Sequence, residues 1–251
     1  MKYTRPIVLS IAGFDPCGGA GVLADTKTFE QHQCLGMAVI SGITKQVEDR
    51  FISVEWVDPH KIIDDIRPLF EKYTIEIVKI GIIENLNTIQ TVVNFLKLQN
   101  PNVKIVWDPV LAASSGFKLM NALNQDTLNS VLQKIYLVTP NVNEARTLSG
   151  DSNETTGAEF LASLCHVLLK GGHSHENEGT DFLFADKKKI KIEKRTNHVV
   201  YPKHGSGCIL SSAIAAELAI GNDLESACKN AKEYVEKILN SNPNLLAYHV
   251  A

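Results

Sequence analysis

Two carboxylates and a thiol are the residues best suited to chemistry in this chain. Asp108 follows the run KIVW, Glu144 lies three residues past Asn141, and Cys208 closes the turn Gly205-Ser206-Gly207 before ILSSAIAAELAI. Glycines let backbone approach an anion closely, and the first turn of a helix offers unpaired N–H groups at the positive end of its dipole. Residues 205–208 therefore read as an anion hole for charge developing on a phosphoryl group. The same field lowers a thiol pKa, so Cys208 is expected to be partly thiolate near neutral pH. The plainer alternative is a small buried cysteine after a glycine turn. Asp108 and Glu144 suit Mg²⁺, directly or through water, or else cap a helix or loop. Gln46 offers a donor and an acceptor side by side, matching the edge of an aminopyrimidine, unless it is a solvent-facing loop residue. Asp25 otherwise reads as the N-cap of TKTFEQHQ.

These residues need elements to hold them. Short apolar, β-branched runs alternate with helical ones. Strands are expected at 6–13, 37–44, 52–57, 75–81, 103–109, 135–140 and 166–172, with a hairpin at 180–186 and 189–195. Helices are expected at 23–33, 58–73, 85–99, 126–134, 142–150, 157–165, 208–220 and about 223–239. Asp58 is a candidate N-cap, with Pro59 at the first helical position. Such alternation predicts an α/β fold with a mainly parallel sheet covered on both faces, in which ligands bind at the carboxyl ends of the strands. Polar and glycine-rich residues follow strand after strand: Gly13 to Gly21, Thr44-Lys45-Gln46, Gly81, Asp108-Pro109, Thr139-Pro140-Asn141 and Lys170-Gly171-Gly172. Several such loops at one end of a sheet imply a site along one edge.

Composition narrows the classes. A chain of 251 residues with 44% hydrophobic content can bury roughly 75% of its unfolded surface, and a single domain over 1–251 is expected. Net charge is −3, and Lys187-Lys188-Lys189 reads as a solvated hairpin turn, so no nucleic-acid partner is expected. The N-terminal apolar run breaks at Gly13, too soon for a signal segment, and no run reaches the roughly 18 residues of a membrane span. Cys17, Cys34, Cys165, Cys208 and Cys228 form no C-x-x-C pair or zinc framework, which suits free thiols in the cytoplasm. His173, His175 and Glu176 read as a polar surface loop rather than a metal site. No G-x-x-x-x-G-K-[ST] occurs, and GGAG is not a dinucleotide fingerprint.

The ordered segments SIAGFDPCGGAGVLADTKTF, ITKQ, IVKIGII, VWDPVLAASSG, LVTPNVNEARTLSG, LLKGG with Asp181 downstream, and HGSGCILSSAIAAELAIG resemble the hydroxymethylpyrimidine/phosphomethylpyrimidine kinases of thiamine biosynthesis. These belong to the ribokinase-like superfamily, and the resemblance runs from about residue 7 to residue 238. It implies a three-layer α/β/α sandwich. It also implies phosphorylation of 4-amino-5-hydroxymethyl-2-methylpyrimidine and then of its monophosphate, with ATP and Mg²⁺. By resemblance, Gly13, Asp25, Gln46, Ile82 and Val110 line the pyrimidine pocket. Asp108 and Glu144 lie near Mg²⁺, Asn141 and Lys170 lie on the nucleotide side, and Gly205, Ser206, Gly207 and Cys208 form the anion hole with Cys208 as candidate base. A homodimer is expected. The chain departs from the usual pattern at Phe14, Ile82, Lys203 and Ile209, and in its tail NSNPNLLAYHV. The alternatives are a pyridoxal kinase on the same fold and a non-catalytic pyrimidine sensor.

Overall fold

Alternate residues of the first strand point into two separate cores. Leu9 and Ile11 join one apolar cluster, while Val8 joins the other. That period of two is how a strand buried on both faces divides its side chains. The computed structural model describes residues 4–112, 119–120, 123–171, 179–193 and 200–249.

The strands are β1 (Ile7–Phe14), β2 (Leu35–Val47), β3 (Arg50–Trp56), β4 (Ile77–Ile80), β5 (Lys104–Trp107), β6 (Leu137–Val138), β7 (His166–Leu169), β8 (Asp181–Ala185) and β9 (Lys188–Ile192). They form one sheet in the order β3-β2-β1-β4-β5-β6-β7-β8-β9. β2, β1, β4, β5, β6 and β7 are parallel, while β3, β8 and β9 pair antiparallel. The helices are α1 (Gly21–Gln31), α2 (Pro59–Lys72), α3 (Leu86–Gln99), α4 (Gln125–Leu132), α5 (Val142–Ser149), α6 (Glu154–Ala162), α7 (Ser206–Ala219) and α8 (Leu224–Leu239). Residues of α2 to α6 share one core with one face of the sheet, and residues of α1, α7 and α8 share the other. The expected three-layer α/β/α sandwich is therefore observed. α7 is buried nearly all round, as its uniformly apolar sequence requires.

The chain order reverses direction across the sheet between β1 and β4, and a crevice opens at such a switch point, outside the strands' carboxyl ends. Gly13 and Gly81 lie there. Three expectations about elements need correction. β2 extends to Val47, so Thr44, Lys45 and Gln46 lie inside it, with a register shift between Lys45 and Gln46 against β3. α1 starts at Gly21, so Asp25 sits in its second turn and is not an N-cap. α7 starts at Ser206, so Cys208 is already helical. Of the expected turn only Lys187 lies between β8 and β9, where it and Asp186 both have positive φ, as a two-residue hairpin turn demands; Lys188 and Lys189 already belong to β9. His173, His175 and Glu176 fall outside the described residues.

Candidate active site

Six of the eight described helices begin on a side chain that accepts an N-terminal backbone hydrogen bond: Asp58, Asn85, Asn124, Asn141, Asn153 and Asp223. α1 and α7 do not. Their N-cap residues, Ala20 and Gly205, carry no side-chain acceptor, and both line the same cavity of about 1000 Å³. The Ala20 amide donates to Asp15 and the Gly21 amide to the Cys208 thiol, and with the first-turn amides that no side chain caps they make two positive poles facing one space.

Two glycines make this meeting possible. Gly205 has φ +77°, and a Cβ there would stand 2.0 Å from the carbonyl oxygen of Gly19. Gly21 has φ +59°, and a Cβ there would stand 2.1 Å from the carbonyl oxygen of Gly13. A larger residue at Gly205 would push the two helix starts apart, one at Gly21 would push α1 off the end of β1, and either would strain the backbone.

A charged cluster faces them. Lys170 Nζ donates to Asp108 Oδ1 at 2.8 Å and lies 3.8 Å from Glu144 Oε2. Thr139 Oγ1 donates to the same Asp108 oxygen at 3.2 Å, and Ser211 of α7 reaches Oδ2 at 3.4 Å. A Cβ on Gly207 would lie 3.4 Å from Lys170 Nζ, so the first turn of α7 abuts this cluster. Burial opposes charge on Asp108, but Lys170 and Lys79 outweigh it and hold the carboxyl below its ordinary range. Glu144 goes the other way. Burial raises it, Lys170 only partly offsets that, and neighbouring Asp108 raises it further. Burial works against the charge of Lys170 too, but Asp108 and Glu144 leave it more firmly protonated than an ordinary lysine.

Asn141 and Glu144 are also a reciprocal cap of α5. Asn141 Oδ1 accepts from the Glu144 amide at 2.9 Å, and Glu144 Oε2 accepts from the Asn141 amide at 2.7 Å. Capping and cavity lining are thus both true of Glu144.

Every residue expected at the site lines this cavity except Asp25. Gly13, Gln46, Ile82, Val110, Asp108, Asn141, Glu144, Lys170 and Gly205 to Cys208 are brought together. Asp25 is wholly buried and takes hydrogen bonds from Lys79 Nζ (2.9 Å to each oxygen), Ser10 Oγ (2.5 Å) and Ser212 Oγ (2.6 Å). Lys79, Ser10 and Ser212 escaped the sequence reading. A lysine inside the otherwise apolar IVKI of β4 was the available signal.

The expectation of a partly ionised Cys208 is overturned. Burial pushes the thiol up to about 11, with Asp108 and Asp25 adding to it. Lys79 and the Gly21 amide pull downward without winning. The helix field is real, but the same cavity brings desolvation and two carboxylates.

Lys203, one of the departures from the usual pattern, lines the cavity and also serves the tail. It donates to the backbone carbonyls of Asn242 and of Asn244 (2.7 Å), tying down the tail that departs from the family pattern. Phe14 does not line the cavity; Ile82 does, and Ile209 is buried in the core of α7.

A sequence model described as phosphomethylpyrimidine kinase matches residues 15–251. The chain belongs to that family. It is 35% identical over 252 residues to the hydroxymethylpyrimidine/phosphomethylpyrimidine kinase of Aquifex aeolicus, covering 95% of this chain and 96% of the relative. The crystal structure of phosphomethylpyrimidine kinase from Clostridium difficile superposes with a TM-score of 0.78 at 31% identity, over 92% of this chain and 98% of that one. The pyridoxal kinase of Staphylococcus aureus in complex with pyridoxal gives 0.82 at 25% identity, over 98% and 92%. As a phosphomethylpyrimidine kinase family member with this fold, the chain is a phosphotransferase of the ribokinase-like type.

Proposed function

We propose that this chain is one kinase domain that transfers the γ-phosphoryl group of ATP to 4-amino-5-hydroxymethyl-2-methylpyrimidine and then to its monophosphate, in thiamine biosynthesis. The observation that carries this reading is the pair of uncapped helix starts, at Ala20 and Gly205, opening on the cavity that holds Asp108 and Lys170. Phosphoryl transfer needs mainly positioning and stabilisation of charge on equatorial oxygens. Free amides and Lys170 supply that without reorganisation. Nucleotide use is supported by the AMP-PCP complex of the Staphylococcus aureus pyridoxal kinase.

The all-oxygen donors Asp108 and Glu144 fit a hard divalent cation, and they would hold Mg²⁺, which neutralises phosphate charge when bound. Asn141 and Lys170 serve the nucleotide side. Gly13, Gln46, Ile82 and Val110 surround the pyrimidine, with the Gln46 amide on its aminopyrimidine edge. Asp25 acts through Lys79 from below. Cys208 is the candidate acceptor for the hydroxyl proton, and it must first lose its own.

A homodimer is supported by Ile43, Val47 and Ile52, exposed on the β2–β3 edge hairpin, and sedimentation tests it. Five free cysteines suit the cytoplasm. No described helix is long and apolar enough to cross a membrane.

Turnover assays with the pyrimidine, its monophosphate and pyridoxal test the reading. Turnover of pyridoxal alone would replace it by the pyridoxal kinase that the fold neighbours suggest. Binding of the pyrimidine without turnover would make the chain a sensor, against which the joint presence of Asp108, Glu144 and Cys208 weighs.

A further inference from the structure

Just ahead of both uncapped helix starts lies a second cluster, of different chemistry. The Asp15 carboxylate is almost fully buried. Its Oδ1 accepts from the Cys17 amide (3.0 Å) and the Cys17 thiol (3.0 Å), and its Oδ2 from the amides of Gly19 (3.1 Å) and Ala20 (2.8 Å) and from His204 Nε2 (3.1 Å). These are five donors on a group with about four lone-pair sites. Two of them, the thiol and the imidazole, are also metal ligands. The ligand atoms of Asp15, Cys17 and His204 all lie within 4.8 Å of one another. His204 comes from 189 residues away in sequence.

We propose that Asp15, Cys17 and His204 form a binding site for a soft divalent cation of the Zn²⁺ type. The ion displaces the thiol proton, and the imidazole proton moves from Nε2 to Nδ1. The Cys17 thiol proton leaves to solvent, and His204 presents Nε2 as a lone pair while carrying a proton on Nδ1. Thiolate, carboxylate and neutral imidazole then carry two negative charges against the ion's two positive ones. Zinc favours tetrahedral sulfur, nitrogen and oxygen ligands at about 2.0–2.3 Å, so ligand atoms in such a shell stand a little more than 3 Å apart. The sulfur–oxygen and nitrogen–oxygen separations here need to open by only a few tenths of an ångström. The three backbone amides stay on Asp15, a tighter match to its lone pairs, and hold the carboxylate in place as outer partners do in metal sites. Three protein ligands leave a fourth position, and both Asp15 and His204 line the active-site cavity. An all-oxygen-loving ion such as Mg²⁺ is not expected there. Because Asp15 leads into α1 and His204 precedes Gly205, a bound ion would pin the two helix starts together.

Titration of the full chain with Co²⁺, a coloured stand-in for Zn²⁺, tests the site. One ion per chain is expected, with a thiolate-to-cobalt absorption band that Zn²⁺ abolishes and excess Mg²⁺ does not. Cys17→Ser keeps a donor to Asp15, so the fold should persist by circular dichroism. It should lose the band and weaken Zn²⁺ binding by more than about 100-fold, beyond the cost of losing an outer partner. His204→Asn should also weaken it. Cys208→Ser should leave the band unchanged. Absence of a band in the wild type, or a band that survives Cys17→Ser or vanishes in Cys208→Ser, overturns the proposal.

Discussion

Lys79 Nζ stands 2.9 Å from both carboxylate oxygens of Asp25, and neither side chain is exposed to solvent. One comes from β4 and the other from α1, so the pair bolts a helix to the sheet directly beneath the candidate active site. Burial disfavours the lysine's charge, and Asp25 more than restores it. Breaking such a pair leaves an uncompensated buried charge.

Lys79→Met and Asp25→Leu are therefore each expected to cost about 3–5 kcal/mol of stability. The double change Lys79→Met with Asp25→Leu should recover much of it while leaving turnover impaired. Urea unfolding of the four proteins checks this. Strictly additive losses would show that the pair is not a coupled unit.

Gln46→Ala should weaken pyrimidine binding by roughly 1–3 kcal/mol, since polar groups on the ligand lose their partner. ATP affinity should hardly change. Calorimetric titration measures both, and an unaltered pyrimidine affinity would remove Gln46 from the pocket.

Asp108→Asn and Glu144→Gln should lower turnover and raise the Mg²⁺ concentration needed for half-maximal rate. Glu144→Gln is the cleaner variant, because glutamine can still accept the Asn141 amide and keep the cap of α5. Mg²⁺ curves that overlay the wild type for both variants would refute the metal assignment.

Cys208→Ala should retain fold and substrate affinity but lose about two to four orders of magnitude in turnover, the scale of a missing general base. With the thiol pushed up to about 11, kcat/KM of the wild type should still be climbing with pH above neutrality. Cys208→Asp should recover part of the rate and shift that rise to acid pH. Cys165, pushed up to about 12, should alkylate more slowly than Cys208, and bound substrate should protect only the latter. Near-normal turnover in Cys208→Ala would assign the catalysis to the helix amides.

Asp15 bears on acid stability. Burial raises its carboxyl, but His204, Cys17 and the turn amides outweigh that and hold it far below the ordinary value of about 4. A depressed folded pKa means the stabilisation is complete above the unfolded pKa and drains as pH falls below it. Thermal melts should therefore drop below about pH 4, and Asp15→Asn should show a flatter acid limb with lower stability at neutral pH. An unchanged acid limb would mean that the turn is held by other contacts.

The alternation of β-branched runs with helical ones determined the sheet, its two covered faces and the edge where the site had to lie. Local pattern suffices for that, because strand and helix periods are written in consecutive residues. The glycine turn at 205–207 and the carboxylates at 108 and 144 were legible for the same reason: each sits at the end of an element. Tertiary structure decided what those groups are electrically. Cys208 has a helix field in its favour, yet burial and the carboxylates of Asp108 and Asp25 keep its proton on. Asp25 looked like a cap or a ligand contact and is instead the buried partner of Lys79, from a strand 54 residues away. Lys203 stood out only as a departure from the family pattern, and its bonds to the carbonyls of Asn242 and Asn244 make it the anchor of the tail. Desolvation and charge pairing depend on which distant segments close over a group, and no window of sequence contains them.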